Sequence, residues 1–382
     1  MTDQLVRPTI PIAYVADIVA RCRATPRAIA GALAAGDIPA RALASRRMRV
    51  SIVQLERFHA ALGRAGDDEV FGFFARPVPR GSFATLLALL VDCDDVRAML
   101  DAAARFYRLF DRHAYFAFEL DRRRATLHLV TRDAEQARSI FFVHTMLLAP
   151  WRTAAWLVDR PIPLDEVVLP ARFRPFRRET RYLFGREPTF AAGAPRIAFA
   201  AELASLAVVR RRSDADAHAR ASLRAIMLAP PAPTLHDELR AVLAAAQPFA
   251  DLGVADAARR LGRSRASLAR ELARHGSTFQ DIKDELRRDR AIALLAETSL
   301  DFAEIAERLG YSAASAFQRA FRQWTGVAPG ALRSVTASPR AARAPRSSSR
   351  AAATTRAAGR GPSRRSRRAR RRGSPRPSRG RR

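Results

Sequence analysis

The stretch LDFAEIAERLGYSAASAFQRAFRQWTGVAP, residues 300–329, decides the fold of the carboxyl-terminal part of this chain. Asp301 is followed three positions later by Glu304, which is the pattern of a capping box and predicts that a helix begins there. Gly310 is expected to end that helix, and Ser312 is placed to cap a second one. The stretch therefore predicts two short helices joined by a glycine turn.

The second of these helices has one apolar and one polar side. Phe317, Phe321 and Trp324 recur at helical spacing, so that side is predicted to lie in a core. The opposite side carries small, amide and guanidinium groups: Ala314, Ser315, Gln318, Arg319 and Arg322. This arrangement is typical of a DNA-binding helix-turn-helix, although an isolated amphipathic pair is more often a packing unit.

The same pattern occurs upstream in VADAARRLGRSRASLARELARHG, residues 254–276. Gly262 stands 48 positions before Gly310, and Leu268 stands 49 positions before Phe317. The exposed side of the second helix in this unit carries Arg265, Ala266, Ala269, Arg270 and Arg274. Because chance amphipathicity does not explain a duplicated unit, the repeat favours DNA recognition over simple packing.

A long helix is predicted between the two units, over STFQDIKDELRRDRAIALLAET, residues 277–298. Ser277 and Gln280 form a further candidate capping box, and the buried side would carry Ile282, Leu286, Ala293 and Leu294. About 20 helical residues span roughly 30 Å, and one turn of B-DNA is about 34 Å. A rod of this length could hold two helices in successive major grooves.

Over residues 234–335 the chain resembles the AraC/XylS family of transcriptional regulators. The resemblance rests on IAERLGYSAASAFQRAFRQWTGVAP and on SRASLARELARHGSTFQDIKDELRRDRAIALL. It implies that Arg270 and Arg319 are principal base or phosphate contacts. Relatives often have larger residues where alanines stand here. Sequence readout would then depend on DNA shape and on four side chains, namely Arg265, Arg270, Gln318 and Arg319.

The N-terminal part reads as a mixture of helices and strands. Helical patterns dominate residues 10–60, 83–110 and roughly 134–158. AYFAFELDRRRATLHLV predicts a hairpin whose inward residues are Phe116, Phe118, Leu120, Leu127 and Leu129. Short extended pieces follow around residues 167–169 and 197–199. This pattern favours an α+β domain over a cupin barrel.

A second resemblance supports a sensor role for that part. RPFRRETRYLFGREPTFAAGAPRIAFAAEL, residues 174–203, is similar to the arabinose-binding type of N-terminal domain found in ornithine-utilisation regulators. The matching residues are Tyr182, Leu183, Phe184, Gly185, Pro188, Phe190 and Phe199. The resemblance, which extends weakly over residues 10–225, implies binding of a small metabolite and dimerisation. It does not make arabinose the ligand.

Composition and charge indicate where the chain divides and in which cellular compartment the protein is expected. The chain has 382 residues and a formal charge of +30, of which +17 falls in residues 337–382 as 17 Arg with no acid. Cys22 and Cys93 fit no metal or redox spacing. The N-terminus MTDQLVRPTI lacks the form of a signal peptide, and no apolar run reaches 18 residues. We therefore expect a cytoplasmic protein that does not enter membranes.

Four segments are predicted: a sensing and dimerisation domain (1–228), a proline-rich linker (229–233), an all-α domain with two helix-turn-helix units joined by a linker helix (234–336), and a disordered basic tail (337–382). The tail is either a solvated extension from biased coding or an arm that binds nucleic acid non-specifically. Lys283 is the only lysine in the chain, which is a sign of such a bias.

Enzyme motifs are absent. There is no GxGxxG, Walker loop, GxSxG or HExxH, and the seven histidines are scattered, so each is expected to be structural. Asp92, Asp94 and Asp95 could bind a metal, but a helix start beside them favours negative charge anyway. Arg105, Tyr107 and Trp151 fit a ligand pocket and a core or surface equally well. The sequence predicts no catalytic residue, metal or cofactor, and leaves open a site without a motif.

The predicted function is that of a sequence-specific transcriptional regulator, an activator by the family resemblance, that responds to a small-molecule effector. Its expected partners are double-stranded promoter DNA, the effector, RNA polymerase and a second copy of the chain in a homodimer. The alternative is a non-specific nucleic-acid-binding protein driven by the Arg-rich tail.

Overall fold

The computed structural model describes residues 9–228, 235–246 and 252–333. We refer to residues 9–228 as the N-terminal region and to residues 235–333 as the C-terminal region. The predicted linker and the predicted basic tail lie outside the described residues. Both regions belong to one compact unit.

Nine α-helices account for nearly half of the residues that the structure describes in the N-terminal region. They are α1 (Ala13–Arg21), α2 (Pro26–Ala35), α3 (Ile52–Gly66), α4 (Ser82–Leu90), α5 (Val96–Arg108), α6 (Ala134–Arg138), α7 (Ile140–Leu157), α8 (Arg177–Phe184) and α9 (Arg212–Leu228). The predicted single helix over 134–158 is wrong, because it breaks at Ser139. That residue leaves the helical conformation, and its hydroxyl accepts a hydrogen bond from the Phe142 amide at 3.1 Å, which caps α7.

The strands form two sheets. They are β1 (Ile10–Pro11), β2 (Arg49–Val50), β3 (Tyr115–Leu120), β4 (Arg124–Val130), β5 (Glu166–Leu169), β6 (Thr189–Phe190) and β7 (Arg196–Ala200). β1 pairs with β2, and the other five strands form a sheet in the order β3-β4-β7-β5-β6. Every pairing is antiparallel except that of β5 with β6. The predicted α+β fold, including both extended pieces, is confirmed.

The hairpin of β3 and β4 has nearly the predicted pattern. Phe116 pairs with Leu129 and Phe118 with Leu127, and these side chains lie on one face of the sheet. α5 and α7 pack against β3, so this face is covered by helices. Leu120 does not follow the prediction, since 39% of it is exposed. Leu120 is the last residue of β3, beside the hairpin turn, so it lies at the tip of the hairpin and remains partly in solvent.

His144 illustrates how the core of this region is connected. The residue is fully buried on α7, and its Nδ1 lies 2.5 Å from the Tyr14 hydroxyl on α1. Its Nε2 lies 3.0 Å from the Thr180 hydroxyl on α8. Because the Thr180 hydroxyl already donates to the Phe176 carbonyl, the imidazole must donate from Nε2 and accept at Nδ1. The prediction that His144 is structural is confirmed, and one neutral ring joins three helices.

We expect this neutral ring to make the protein less stable in acid. Burial lowers the pKa of His144 to about 3, whereas the unfolded chain binds the proton near pH 6.5. Between these values the unfolded state holds more protons, so stability is complete above pH 6.5 and falls as the pH decreases. At pH 5 the loss from this residue is about 2 kcal/mol.

Urea unfolding of the wild type and of His144→Gln at pH 7 and pH 5 measures this effect. Between pH 7 and pH 5, the free energy of unfolding should fall by about 2 kcal/mol less in the variant than in the wild type. His113→Gln, at an exposed position, is the matched control and should keep the wild-type difference. An unchanged pH difference in His144→Gln would show that the buried ring is not the cause.

The C-terminal region is entirely helical in its described residues. Its helices are α10 (Leu235–Ala245), α11 (Val254–Arg260), α12 (Arg265–Arg274), α13 (Phe279–Glu297), α14 (Phe302–Arg308), α15 (Ala314–Thr325) and α16 (Pro329–Arg333). No helix among the residues that the structure describes is long and apolar enough to cross a membrane.

Candidate nucleic-acid interface

The first helix-turn-helix unit consists of α11 and α12. Gly262 in the turn has φ 65°, a left-handed conformation that glycine adopts without strain. The Ser264 hydroxyl caps α12 by accepting a hydrogen bond from the Ser267 amide at 3.1 Å. Leu268 and Leu272 are buried in the core of the unit. These contacts hold the inner side of α12 and leave its outer side in solvent.

The second unit, α14 and α15, repeats this geometry. The predicted capping box is confirmed, since the Asp301 carboxylate accepts from the Glu304 amide at 2.8 Å and Glu304 accepts in return from the Asp301 amide. Gly310 has φ 74°, matching Gly262. The predicted cap at Ser312 is wrong. α15 begins one residue later, after Ala313, and no side chain caps it. The backbone amides of its first turn therefore lack a side-chain partner in the part of the chain that the structure describes.

All but one of the residues predicted to bind DNA are exposed on the surface of the protein. On α12 the exposed residues are Arg265, Ala266, Ala269, Arg270 and Arg274, and on α15 they are Ser315, Gln318, Arg319 and Arg322, while Ala314 is half-buried. None of these arginines makes an ion pair or hydrogen bond with another residue in the described part of the chain. Their guanidinium groups are therefore available to an external acceptor.

α13 carries both units on one rod. Its 19 residues span about 28 Å at 1.5 Å per residue. Ile282 and Leu286 lie in the core of the first unit, whereas Ile292 and Leu295 pack in the same core as the aromatic residues of the second. The predicted capping box of Ser277 with Gln280 is wrong. Ser277 is buried, the helix starts one residue later, and Thr278 with Asp281 forms the box.

A buried ionic cluster joins α13 to the N-terminal region, and its centre is Asp289, which is 2% exposed. The Asp289 carboxylate accepts from the Thr9 hydroxyl at 2.6 Å and from Arg240 at 3.0 Å. Arg49 donates to the same Thr9 hydroxyl at 2.8 Å and pairs with Glu179. Burial alone would raise the pKa of Asp289, but Arg288, Arg240 and Arg49 hold it below its usual value.

A second ion-pair group lies one helical turn earlier on α13. The Glu285 carboxylate accepts from Arg178 on α8 at 2.5 Å and lies 3.0 Å from His236 Nε2 on α10. Glu285 is itself buried, but His236, Arg288 and Arg178 hold its pKa well below its usual value. Glu285 and Asp289 therefore face the N-terminal region as paired carboxylates on the same side of the helix.

The N-terminal region also contacts the carboxyl-terminal ends of α12 and α15. Arg181 donates to the His275 carbonyl at 3.3 Å, just after α12. The Ser45 hydroxyl donates to the Thr325 carbonyl at 2.8 Å, the last residue of α15. Arg41 donates to the Ala331 carbonyl at 2.8 Å. The Arg181 and Ser45 contacts lie at the ends of α12 and α15 that are farthest from Arg265 and Ser315. They therefore do not cover the exposed sides of these two helices.

The other candidate residues from the sequence have ordinary roles. Asp95 caps α5 by accepting from the Ala98 amide at 2.8 Å, and Asp92 pairs with Arg212. Within residues 9–228, 235–246 and 252–333 no group of three His, Cys, Asp or Glu could hold a metal ion. Trp151 is buried in the core and Arg105 is exposed, whereas Tyr107 lines a cavity.

The ionic cluster was missed by sequence reasoning, although a weak signal for it exists. Glu285 and Asp289 are four residues apart and follow the apolar stripe of Ile282 and Leu286. Carboxylates on the buried side of a helix are seldom left unpaired, so they indicate cationic partners. Nothing in the local sequence identifies Arg49 or Thr9 as those partners.

Comparison with known families and proteins gives two domain matches. Residues 27–208 match the arabinose-binding domain of AraC transcription regulator, N-term, and residues 257–334 match a helix-turn-helix domain. Together the two matches cover more than half of the chain.

Among curated relatives, the chain is 43% identical over 90 residues to the ornithine utilization regulator of Pseudomonas aeruginosa, covering 24% of this chain and 26% of that protein. It is 45% identical over 60 residues to the HTH-type transcriptional regulator VqsM of the same organism. This match covers 16% of this chain and 18% of that protein. The chain thus spans about a quarter or less of the length of these relatives. The solved transcriptional regulator CdpR from Pseudomonas aeruginosa aligns at 21% identity, over 81% of this chain and 97% of that one, with a TM-score of 0.28, too low to support an argument.

Proposed function

We propose, on the premise that the chain belongs to the AraC family of transcription regulators, that it binds promoter DNA in a sequence-specific way and adjusts this binding to a small-molecule effector. α12 and α15 would enter successive major grooves, and the N-terminal region would hold the effector. The observation that carries the proposal is the pair of helices with uncovered, unpaired arginines on a single rod about one DNA turn long.

Each group of exposed residues has a proposed part in the interface. Arg270 and Arg319 would make the principal contacts, with Arg265 and Gln318 also reading base edges. Small residues at Ala266, Ala269, Ala314 and Ser315 would let the backbone approach the groove. Arg274 and Arg322 would bind phosphates, as would the uncapped first turn of α15.

The N-terminal region would control the spacing of the two helices. It contacts both of their carboxyl-terminal ends and the rod between them, so a change in this region can alter how α12 and α15 are held. An effector shifts this equilibrium only by binding one arrangement more tightly than the other. As parts of the same proposal, the protein acts in the cytoplasm as a homodimer and contacts RNA polymerase as an activator.

Replacing Arg270 or Arg319 by alanine should weaken specific DNA binding by about 1–3 kcal/mol each, because a bidentate base contact is lost. The binding site is first selected from random DNA with the full chain, and affinity is then measured by fluorescence anisotropy at physiological salt. Arg97→Ala, at an exposed position of α5, removes the same charge far from the interface and is the matched control.

The selected DNA should also separate base contacts from phosphate contacts. Removing a residue that contacts a base should weaken binding to the selected site but not to unrelated DNA. Removing a residue that contacts a phosphate should weaken binding to both. If Arg270→Ala and Arg319→Ala bind the selected site as tightly as Arg97→Ala does, these residues do not belong to the interface. If the full chain selects no sequence at all, the proposed function itself is wrong.

The basic tail should add a salt-dependent contribution to affinity. Residues 337–382 carry 17 Arg and no acid, and each phosphate neutralised by them would release counterions. We expect a chain ending at residue 336 to show a smaller slope of log affinity against log salt concentration than the full chain, with the same sequence preference. Equal slopes would assign the tail no part in binding. A loss of preference only in the truncated chain would favour the tail-driven alternative.

A further inference from the structure

A cavity of about 790 Å³ lies inside the N-terminal region. Its walls are formed by α3, α4, α5, α7 and α9, by β3 and by the segment between α3 and α4. Sites for small organic molecules in proteins have volumes of about 300–1,000 Å³. The cavity is therefore large enough for a small ligand.

Aromatic rings form one wall of this cavity. The His59 ring lies 4.7 Å from Phe71 and 5.7 Å from Phe141, both in edge-to-face orientation. Tyr107 and Phe116 line the cavity as well. Such rings offer flat apolar faces and favour an aromatic partner in stacked or edge-to-face contact.

Two polar atoms beside this wall have no hydrogen-bond partner among residues 9–228, 235–246 and 252–333. They are Nε2 of His59 and the hydroxyl oxygen of Thr145, and both are buried. Buried polar atoms in proteins are usually satisfied, so each needs an explanation. Both residues line the cavity, so a ligand there would lie beside the side chains that carry these atoms. Burial lowers the pKa of His59 to about 3, so the ring is neutral and offers one donor and one acceptor.

The charged side chains that line the cavity are exposed or already have partners, and Glu56 and Glu69 belong to the second group. The Glu69 carboxylate accepts from the Gly81 amide at 2.6 Å and from the Phe83 amide at 2.9 Å, at the start of α4. Arg80, Asp216 and Arg220 line the cavity but are exposed, so they lie where it meets solvent. A charged group deep in the cavity would lose its hydration without gaining an opposite charge.

We propose that this cavity binds an uncharged aromatic compound carrying a hydroxyl or carbonyl substituent. The ring would pack against His59, Phe71 and Phe141, and the substituent would exchange hydrogen bonds with His59 and Thr145. A monosaccharide fits poorly, because its several hydroxyl groups would face rings with which they cannot form hydrogen bonds. The inference rests on the proposed function, in which the N-terminal region holds the effector.

The position of the cavity connects the ligand to the rest of the protein. Ala219, Leu223 and Ile226 of α9 line it, and α9 is the last helix before the C-terminal region. Met227 lines this cavity and also the cleft that contains Arg49 and Asp289. A ligand that displaces Met227 would therefore change the cleft that contains the ionic cluster.

The test uses Prodan, a neutral naphthalene ketone whose emission moves to shorter wavelength in an apolar site, with the full chain. We expect saturable binding of one Prodan per chain. 1-Naphthol, which is neutral and carries a hydroxyl, should displace it, whereas naphthalene-1-sulfonate and L-arabinose should not. Ala149→Phe, which fills the cavity from α7, should weaken Prodan binding by about tenfold or more. Ala34→Phe, at an exposed position of α2, should leave it unchanged.

Thr145→Val tests the hydrogen bond without filling space. We expect it to weaken 1-naphthol binding by about threefold or more and to preserve the fold, which circular dichroism checks for every variant. Absence of saturable Prodan binding would overturn the proposal, as would equal binding by Ala149→Phe and wild type. Displacement by L-arabinose would overturn the ligand class, and so would displacement by the sulfonate at the same concentration as 1-naphthol.

Failure of this proposal and failure of the proposed function give different results. A chain that selects a DNA sequence but does not bind Prodan or 1-naphthol contradicts only the ligand class. A chain that binds Prodan in the cavity but selects no DNA sequence contradicts the regulator and leaves the cavity assignment intact.

Discussion

Replacing Phe317 by alanine should cost about 3–5 kcal/mol and unfold the second helix-turn-helix unit. Phe317 is fully buried, and its ring lies 5.8 Å from that of Phe321 and 6.3 Å from that of Tyr311. The side chain anchors the inner side of α15 to the core that the second unit shares with the N-terminal region, and deleting it leaves a cavity that the helix cannot close without moving. Specific DNA binding should be lost together with stability, because Arg319 is held on the same helix.

The neighbouring Gln318→Ala is the matched control, since its side chain is exposed on the same helix. It should change the free energy of unfolding of the full chain in urea by less than about 0.5 kcal/mol. It should nevertheless weaken DNA binding if Gln318 reads a base. The two variants therefore separate folding from recognition. A loss of less than about 1 kcal/mol in Phe317→Ala would mean that α15 is held mainly by other contacts.

The second large effect is expected for Asp289→Asn, at about 3–5 kcal/mol of stability. This substitution keeps the size of the side chain but removes the negative charge shared by Arg240, Arg288 and Arg49. Because Asp289 is buried, Arg240 and Arg288 lose the charge of their Asp289 partner in a place where water replaces it poorly, whereas Arg49 keeps Glu179. Urea unfolding monitored by far-UV circular dichroism measures the loss.

Asp284→Asn is the control on the same helix. Asp284 pairs with Arg287 at 3.0 Å, but 38% of its side chain is exposed, so this pair should contribute less than about 1 kcal/mol. Adding salt should reduce the small effect of Asp284→Asn much more than that of Asp289→Asn, because salt screens exposed charges far better than buried ones. Equal effects of the two variants would show that the Asp289 cluster is solvated and does not join the regions strongly.

Local patterns predicted the helices well but missed their first residues. Asp301 was correctly identified as a cap, whereas Ser312 and Ser277 were each placed one residue too early. A serine next to a helix start satisfies the local pattern in either register, and packing then selects one. In this structure the Thr278 hydroxyl, not that of Ser277, caps α13 by accepting a hydrogen bond from the Asp281 amide at 3.1 Å. The same limit applies to Leu120. It follows the alternation of the strand correctly, but it is the last residue of β3 and is left exposed.

The sequence by itself determined the two helix-turn-helix units, the rod between them and their exposed arginines. Capping boxes, glycine turns and helical periodicity act between residues a few positions apart, so they can be read directly from the chain. Only the tertiary structure decided the ionic cluster and the cavity. Thr9 and Asp289 are 280 positions apart, and the cavity walls come from five helices, a strand and a loop. Such contacts depend on how whole elements pack, and no short segment carries a signal for its distant partner.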